Sequence, residues 1–288
     1  MTGIASIEDW LNEHVDTAAP LGTQSVRVLD VLRTQPRFAS HASTAAVASA
    51  ANVNVSTVVR AAQALGYSGW PQLRKELRNR YLESLSATEV LIEHEGLISE
   101  PASDAIRSDI ASLTALTRTI DLPTLKRVAA TIHGARRTLV TGTGTFAAPG
   151  IQLAHSCLLA GMDVHLERQG GTALAAQVAR MHHEDCLVIF NFWRLPRETL
   201  ACAKAALSRG VKLCVVTDRK SSQLASLATY SLLVPSEGVS AFPSLTPAVS
   251  LVHGLVAEIL SLGGTTATEQ IANAEMVWKQ MDLFDSIG

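Results

Sequence analysis

From Arg136 onward, short apolar runs alternate with helical segments, and this alternation limits the fold more than any other feature of the chain. The runs are Thr138–Thr141, Asp163–Leu166, Cys186–Asn191, Lys212–Thr217 and Tyr230–Val234. Between them, helices are expected at Ala147–Leu159, Ala173–Arg180, Arg197–Arg209 and Ser222–Leu227. Strand–helix alternation at this spacing predicts an α/β domain with a five-stranded parallel sheet covered on both faces. A long helix over Thr246–Leu262 and an amphipathic one over Glu269–Phe284 close the chain.

The first 82 residues carry a different pattern, all helical. Segments are expected at Ile4–Val15, Gln24–Thr34, Thr44–Ala51 and Asn54–Leu65, with Gly66 as a helix stop. Trp70 opens one more helix with Pro71 in its first turn, where the missing N–H costs nothing. Glu83–Pro101, with mixed charges and Gly96, Ser99 and Pro101, reads as a partly helical connection; Asp104–Ile120 and Leu122–His133 are helical again. The expected organisation is an all-α domain over 1–82, a helical linker over 83–121 and the α/β domain over 122–288.

Formal net charge is −2, which does not suit nucleic acid, but the charge is unevenly spread. Between Gln24 and Leu82 stand Arg27, Arg33, Arg37, Arg60, Arg74, Lys75, Arg78 and Arg80 against Asp30 and Glu76, a local net of +6. A local basic excess is what a phosphate-facing module needs. The acidic N-terminus lacks the apolar centre of a signal peptide, and no apolar run reaches the ~20 residues that span a bilayer. Cys157, Cys186, Cys202 and Cys214 have no CxxC spacing and sit in apolar contexts, as buried thiols of a reducing cytoplasm do. A cytoplasmic protein away from the membrane, with no metal and no cofactor, is expected.

Ser43–Arg60 fits a helix-turn-helix. Ala46, Val47, Ala50 and Ala51 are small or apolar, as closely crossing helices require; Val53 is the apolar residue of the turn, and Asn54 suits an N-cap. Val58 and Leu65 would face the core. Asn54, Val55, Ser56, Thr57 and Arg60 would lie where recognition helices meet DNA. Ser56 and Thr57 can bond to phosphate or bases, Val55 can touch a thymine methyl, and Arg60 can reach guanine or phosphate.

The run NVNVSTVVRAAQALGYSGWPQLRKEL, within residues 4–82, resembles the N-terminal domain of RpiR-type (MurR/RpiR) transcriptional regulators. It keeps Thr57-Val58-Val59-Arg60, Leu65-Gly66-Tyr67-Ser68-Gly69 and an aromatic at Trp70. The resemblance implies that the helix-turn-helix binds a double-stranded DNA operator as a dimer, and that a sugar isomerase (SIS) domain follows. Residues Leu122–Leu262 have that domain's rhythm, above all RRTLVTGTGTFAAPGIQLAHSCLLAGMDVH. The SIS domain implied is a flavodoxin-like parallel sheet that binds phosphosugars and often dimerises, so a homodimer or tetramer is expected.

The phosphate cradle implied by that resemblance, Ser-x-Ser-Gly-x-Thr after the third strand, is missing. Its positions hold Asn191, Trp193, Arg194 and Pro196, and Phe146 stands where the first turn would carry Ser, next to Thr145. An ordinary phosphosugar is therefore expected to fit poorly. The effector site is expected at Gly142, Thr143, Gly144, Thr145, Phe146, Asn191, Trp193, Arg194 and Arg197. Arg194 and Arg197 suit a bidentate clamp on a carboxylate or phosphate, which keeps an anionic effector among the candidates, and Phe146, Phe192 and Trp193 suit apolar walls.

Two enzymatic alternatives stand beside this one. Gly142-x-Gly144-x-x-Ala147 with Glu167 after the second strand resembles a dinucleotide-binding fingerprint, although five strands leave no substrate domain. A sugar-phosphate isomerase would need a base; His155, His165, His182, His183, His253 and Glu258 are present, but no spacing singles one out. The expected function is a DNA-binding regulator that senses a small metabolite, with no catalytic residues.

Overall fold

The computed structural model describes residues 7–17, 21–96, 98–220 and 222–284. The chain divides into two compact units, Met1–Glu95 and Gly96–Gly288. The first contains α1 (Ile7–Thr17), α2 (Thr23–Thr34), α3 (Pro36–His41), α4 (Thr44–Ala50), α5 (Val55–Ala64), α6 (Trp70–Ser84) and α7 (Ala87–His94). The start of the helix expected from Ile4 lies outside the described residues. Trp10, Leu29, Leu32, Val47, Val58, Trp70, Leu73 and Leu77 make one core. The Trp70 indole N–H donates to the Ala42 carbonyl at 3.0 Å, fixing α6 against the entry to the helix-turn-helix. Gly66, at φ 83°, ends α5 in the left-handed conformation. There the Tyr67 N–H reaches the Ala62 carbonyl and the Gly66 N–H reaches that of Gln63, which satisfies the last carbonyls of the helix.

The segment expected to be one linker over 83–121 is divided between the units. Its α7 belongs to the first. Ser86 and Glu89 form a capping box at its start, and Val90, Glu93 and His94 are buried. Its α8 (Pro101–Thr119) belongs to the second unit, where Asp109 accepts hydrogen bonds from the hydroxyls of Ser244 and Thr246, both at 2.6 Å.

In the second unit α9 (Leu122–Gly134) leads into β1 (Thr138–Gly142), a 3-10 turn (Gly144–Phe146), α10 (Ala147–Leu159), β2 (Val164–Glu167), α11 (Gly171–Ala179) and β3 (Cys186–Asn191). Then follow α12 (Arg197–Leu207), β4 (Lys212–Thr217), α13 (Gln223–Leu227), β5 (Tyr230–Leu233) and α14 (Thr246–Gln280). The strands are all parallel, in the order β2-β1-β3-β4-β5. Both faces of β3 are buried. Val188, Phe190 and Phe192 pack with Leu125 of α9, Leu153 of α10 and Leu251 of α14. Leu187 and Ile189 pack with Leu174 of α11, Ala203 of α12 and Leu224 of α13. The four cysteines are buried free thiols, and burial pushes the pKa of Cys157 up to about 12 and that of Cys202 to about 11.

The two closing helices expected from the sequence run together as α14, broken at Gly264, whose φ of 50° and ψ of −129° are not helical. By length and composition α14 could cross a membrane, which corrects the expectation that no apolar run is long enough. Ala248, Leu251, Val252, Leu255 and Ile259 of its first half are nonetheless buried in the sheet core.

Candidate DNA-binding and effector sites

The helix-turn-helix is built by α4, a turn and α5. Ser43 caps α4, its Oγ accepting from the Ala46 N–H at 3.1 Å. The turn passes through Asn52 at φ 51°, and Val53 packs on the core from it. Asn54 holds the N-cap position of α5, but its side chain makes no capping bond and is exposed. Val55, Ser56 and Arg60 are exposed on one face, so three of the expected contact residues can meet a partner together. Thr57 cannot. It is 2 % exposed and shares the core side with Val58, Ala61 and Ala62, while its Oγ1 accepts from Arg60 Nη2 at 3.3 Å. Thr57 is therefore corrected from a contact residue to one that positions the Arg60 side chain. Gln63, three residues beyond Arg60, is exposed on the outer face and was missed; its helical spacing from Arg60 is the signal that would have found it.

The basic excess is also smaller at the surface than along the sequence. Arg78 is buried and paired with Glu93 at 3.2 Å, and Arg80 is buried, paired with Glu76 at 3.1 Å and set over the Trp10 ring. Desolvation pulls the pKa of Arg80 down, against the attraction of Glu76. Arg27, Arg37, Arg60 and Lys75 remain exposed.

In the second unit the sheet order changes direction at β1 and β3, and the turns beyond their C-terminal ends form the crevice where open α/β sheets bind ligands. The structure brings the expected residues of both turns to this edge. Gly142 is buried, and a Cβ there would lie 2.6 Å from the Phe146 carbonyl oxygen. Thr143, Gly144 and Thr145 are exposed, and Thr143 Oγ1 lies 3.5 Å from Thr199 Oγ1 on the first turn of α12. Arg194 and Arg197 are exposed, with the Arg194 guanidinium 4.7 Å from the centre of the Trp193 ring. Asn191 is 2 % exposed, and its Nδ2 has no hydrogen-bond partner among the described residues. Phe192, expected as a pocket wall, is fully buried and meets Phe146 edge-on at 5.6 Å, so it belongs to the core.

Carboxylates outside the expected effector residues lie at the same edge. Asp218, just beyond β4, accepts the Trp193 N–H at 2.9 Å and the Ser236 hydroxyl at 2.6 Å. Glu198 accepts the Gly171 N–H. Glu167, the acid of the dinucleotide alternative, accepts the Gln169 N–H at 2.6 Å within its own turn. Clefts also open elsewhere: one of about 460 Å³ at the opposite edge of the sheet, beside Arg136, Asp185 and Lys212, and one of about 330 Å³ between α11 and α12.

Comparison with known proteins joins the two sites. Residues 19–84 match the family model of the rpiR-family helix-turn-helix domain, and residues 131–257 match that of the SIS domain. The chain therefore carries an rpiR-family helix-turn-helix domain and a SIS domain. It has the composition of a helix-turn-helix transcriptional regulator with a SIS domain. Among the similar proteins, YfhH of Escherichia coli (strain K12), an uncharacterized HTH-type transcriptional regulator, is 24% identical over 270 residues, 91% of this chain and 95% of its own. The Vibrio vulnificus NanR protein complexed with ManNAc-6P has a TM-score of 0.60 at 20% identity, covering 96% of this chain and 99% of that one. The sugar isomerase domain of an RpiR transcription factor from Sphaerobacter thermophilus has a TM-score of 0.59 at 24% identity, over 62% of this chain and 99% of that one. At these identities the two structures share the fold with this chain.

Proposed function

We propose that this chain is a cytoplasmic transcriptional regulator that binds a double-stranded operator through α5 as a homodimer or tetramer, and whose SIS domain senses a small metabolite other than an ordinary sugar phosphate. The observation that carries the reading is the exposed face of Val55, Ser56 and Arg60 on the second helix of an rpiR-type helix-turn-helix, in one chain with a SIS domain. NanR supports a small-molecule effector, since it is a fold relative solved with ManNAc-6P. The bulky Trp193-Arg194 turn supports a different effector here. No catalytic role is assigned: His155 lies within α10, His165 within β2 and His253 within α14, and His183 lines the cleft at the opposite edge of the sheet. Metabolite and effector enter as differential affinity, the bound state favouring one arrangement of the DNA-binding units.

The test selects genomic fragments bound by the full chain, then screens metabolites for release of the selected fragment. Arg60→Ala should weaken specific binding by about 1–3 kcal/mol while the protein stays folded. Unchanged affinity would remove α5 from the interface. Arg194→Ala should leave fragment binding intact and shift the dose–response of whichever metabolite releases it.

A further inference from the structure

We propose that the chain occupies an anion seat of its own strand-end site with Asp218, and that the site consequently takes a hydroxyl-bearing metabolite and rejects phosphate at the turn after β3. This deepens, and rests on, the reading of the strand ends as the effector site. Backbone N–H groups in the turns at the C-terminal edge of a parallel sheet are what seat a phosphate. In the turn after β3 the N–H of Trp193 already donates to a carboxylate of the chain, that of Asp218. The arrangement is built in. Asp218 is 9 % exposed, and the Ser236 hydroxyl donates to the same Asp218 oxygen that takes the Trp193 N–H.

An incoming phosphate would meet the Asp218 carboxylate in place of the Trp193 N–H. Meanwhile two buried polar groups at the edge lack partners among the described residues, Asn191 Nδ2 and Thr217 Oγ1. They end β3 and β4 as register partners, immediately before the turns that hold Trp193 and Asp218. Their residues are 2 % and 1 % exposed. A hydroxyl both donates and accepts, so one such group can answer an amide N–H and a threonine oxygen together.

The experiment titrates inorganic phosphate into the full chain by calorimetry, in wild type, Asp218→Asn and Asp218→Ser, with circular dichroism to check folding. Wild type should show no binding. A folded Asp218 variant should bind phosphate at least about tenfold more tightly than wild type. Folded variants that gain nothing overturn the proposal. If neither variant folds, the wild-type Trp193 amide resonance decides: no movement on adding phosphate supports the filled seat, and a saturable shift overturns it. A gain in the Asp218 variants alongside an unchanged Arg194→Ala dose–response would keep the filled seat and move the effector elsewhere. A shifted dose–response with no gain would do the reverse.

Discussion

Gly142 carries the steepest demand on any single residue at the strand-end site. A methyl group there would sit 2.6 Å from the Phe146 carbonyl oxygen and 3.0 Å from the Ala147 nitrogen, both backbone atoms that cannot swing aside. Gly142→Ala should therefore destabilise the second unit by on the order of 2 kcal/mol, read by denaturant unfolding, although alanine suits most backbone conformations better than glycine. That demand was legible: Gly142-Thr143-Gly144 stands out between a strand and a helix. Trp193 was legible only in part. Its size announces a departure from a glycine-lined turn, but not that it holds φ 58°, a conformation that costs a bulky residue about 1–2 kcal/mol. Asp218 was not legible at all, because its bond to the Trp193 N–H crosses 25 residues and depends on β3 and β4 being neighbours. Thr57 was misplaced for a smaller reason. The buried stripe of α5 includes Thr57, Val58, Ala61 and Ala62, and a polar residue at its edge reads as outward until the helix phase is fixed.

Among the elements, α7 is held by an ion-pair cluster. It is eight residues long, too short to be stable alone, and of its large apolar residues Leu91 and Ile92 are more than half exposed. Glu93 holds it down, taking Arg37 at 2.9 Å, His41 at 2.9 Å and Arg78 at 3.2 Å. Burial would raise the Glu93 pKa, but the His41 hydrogen bond and the Arg37 and Arg78 charges outweigh it and hold the carboxyl below its ordinary value. A carboxyl with a lowered folded pKa contributes stability that is complete above the unfolded value near 4.3 and is lost as pH falls through the folded one. Glu93→Gln should cost the first unit on the order of 3 kcal/mol at neutral pH, since Arg78 stays buried without its carboxylate, and should flatten the acid side of its pH–stability curve. An unchanged acid limb in the variant would assign that limb to another carboxylate. The sequence placed β3 and β4 to the residue, because a strand buried on both faces is a continuous apolar run bounded by polar residues. It missed α3, six residues behind Pro36, and read α7 as connection, because the signal lay in the Ser86–Glu89 capping box and not in apolar periodicity.

At the scale of the whole chain, the hydrophobic cores divide as the compact units do. One cluster runs from Trp10 to Leu77; the other two flank the sheet and draw their residues from Leu116 to Ile259. A cooperative unfolding transition belongs to a core, so a chain with cores separated in this way should unfold in two transitions rather than one. Glu93 and Gly142 supply one handle on each, since Glu93 pins α7 within the first unit and Gly142 shapes the turn after β1 in the second. In a scanning calorimeter Glu93→Gln should lower one transition and Gly142→Ala the other. The double variant should lower both by the amounts seen singly, because sites without shared partners add to within about 0.5 kcal/mol. A single transition that moves with either substitution would mean that the two units unfold as one. Two transitions with non-additive shifts would instead reveal coupling between the units, and its size would bound the free energy that an effector in the second unit can pass to the DNA-binding helix in the first.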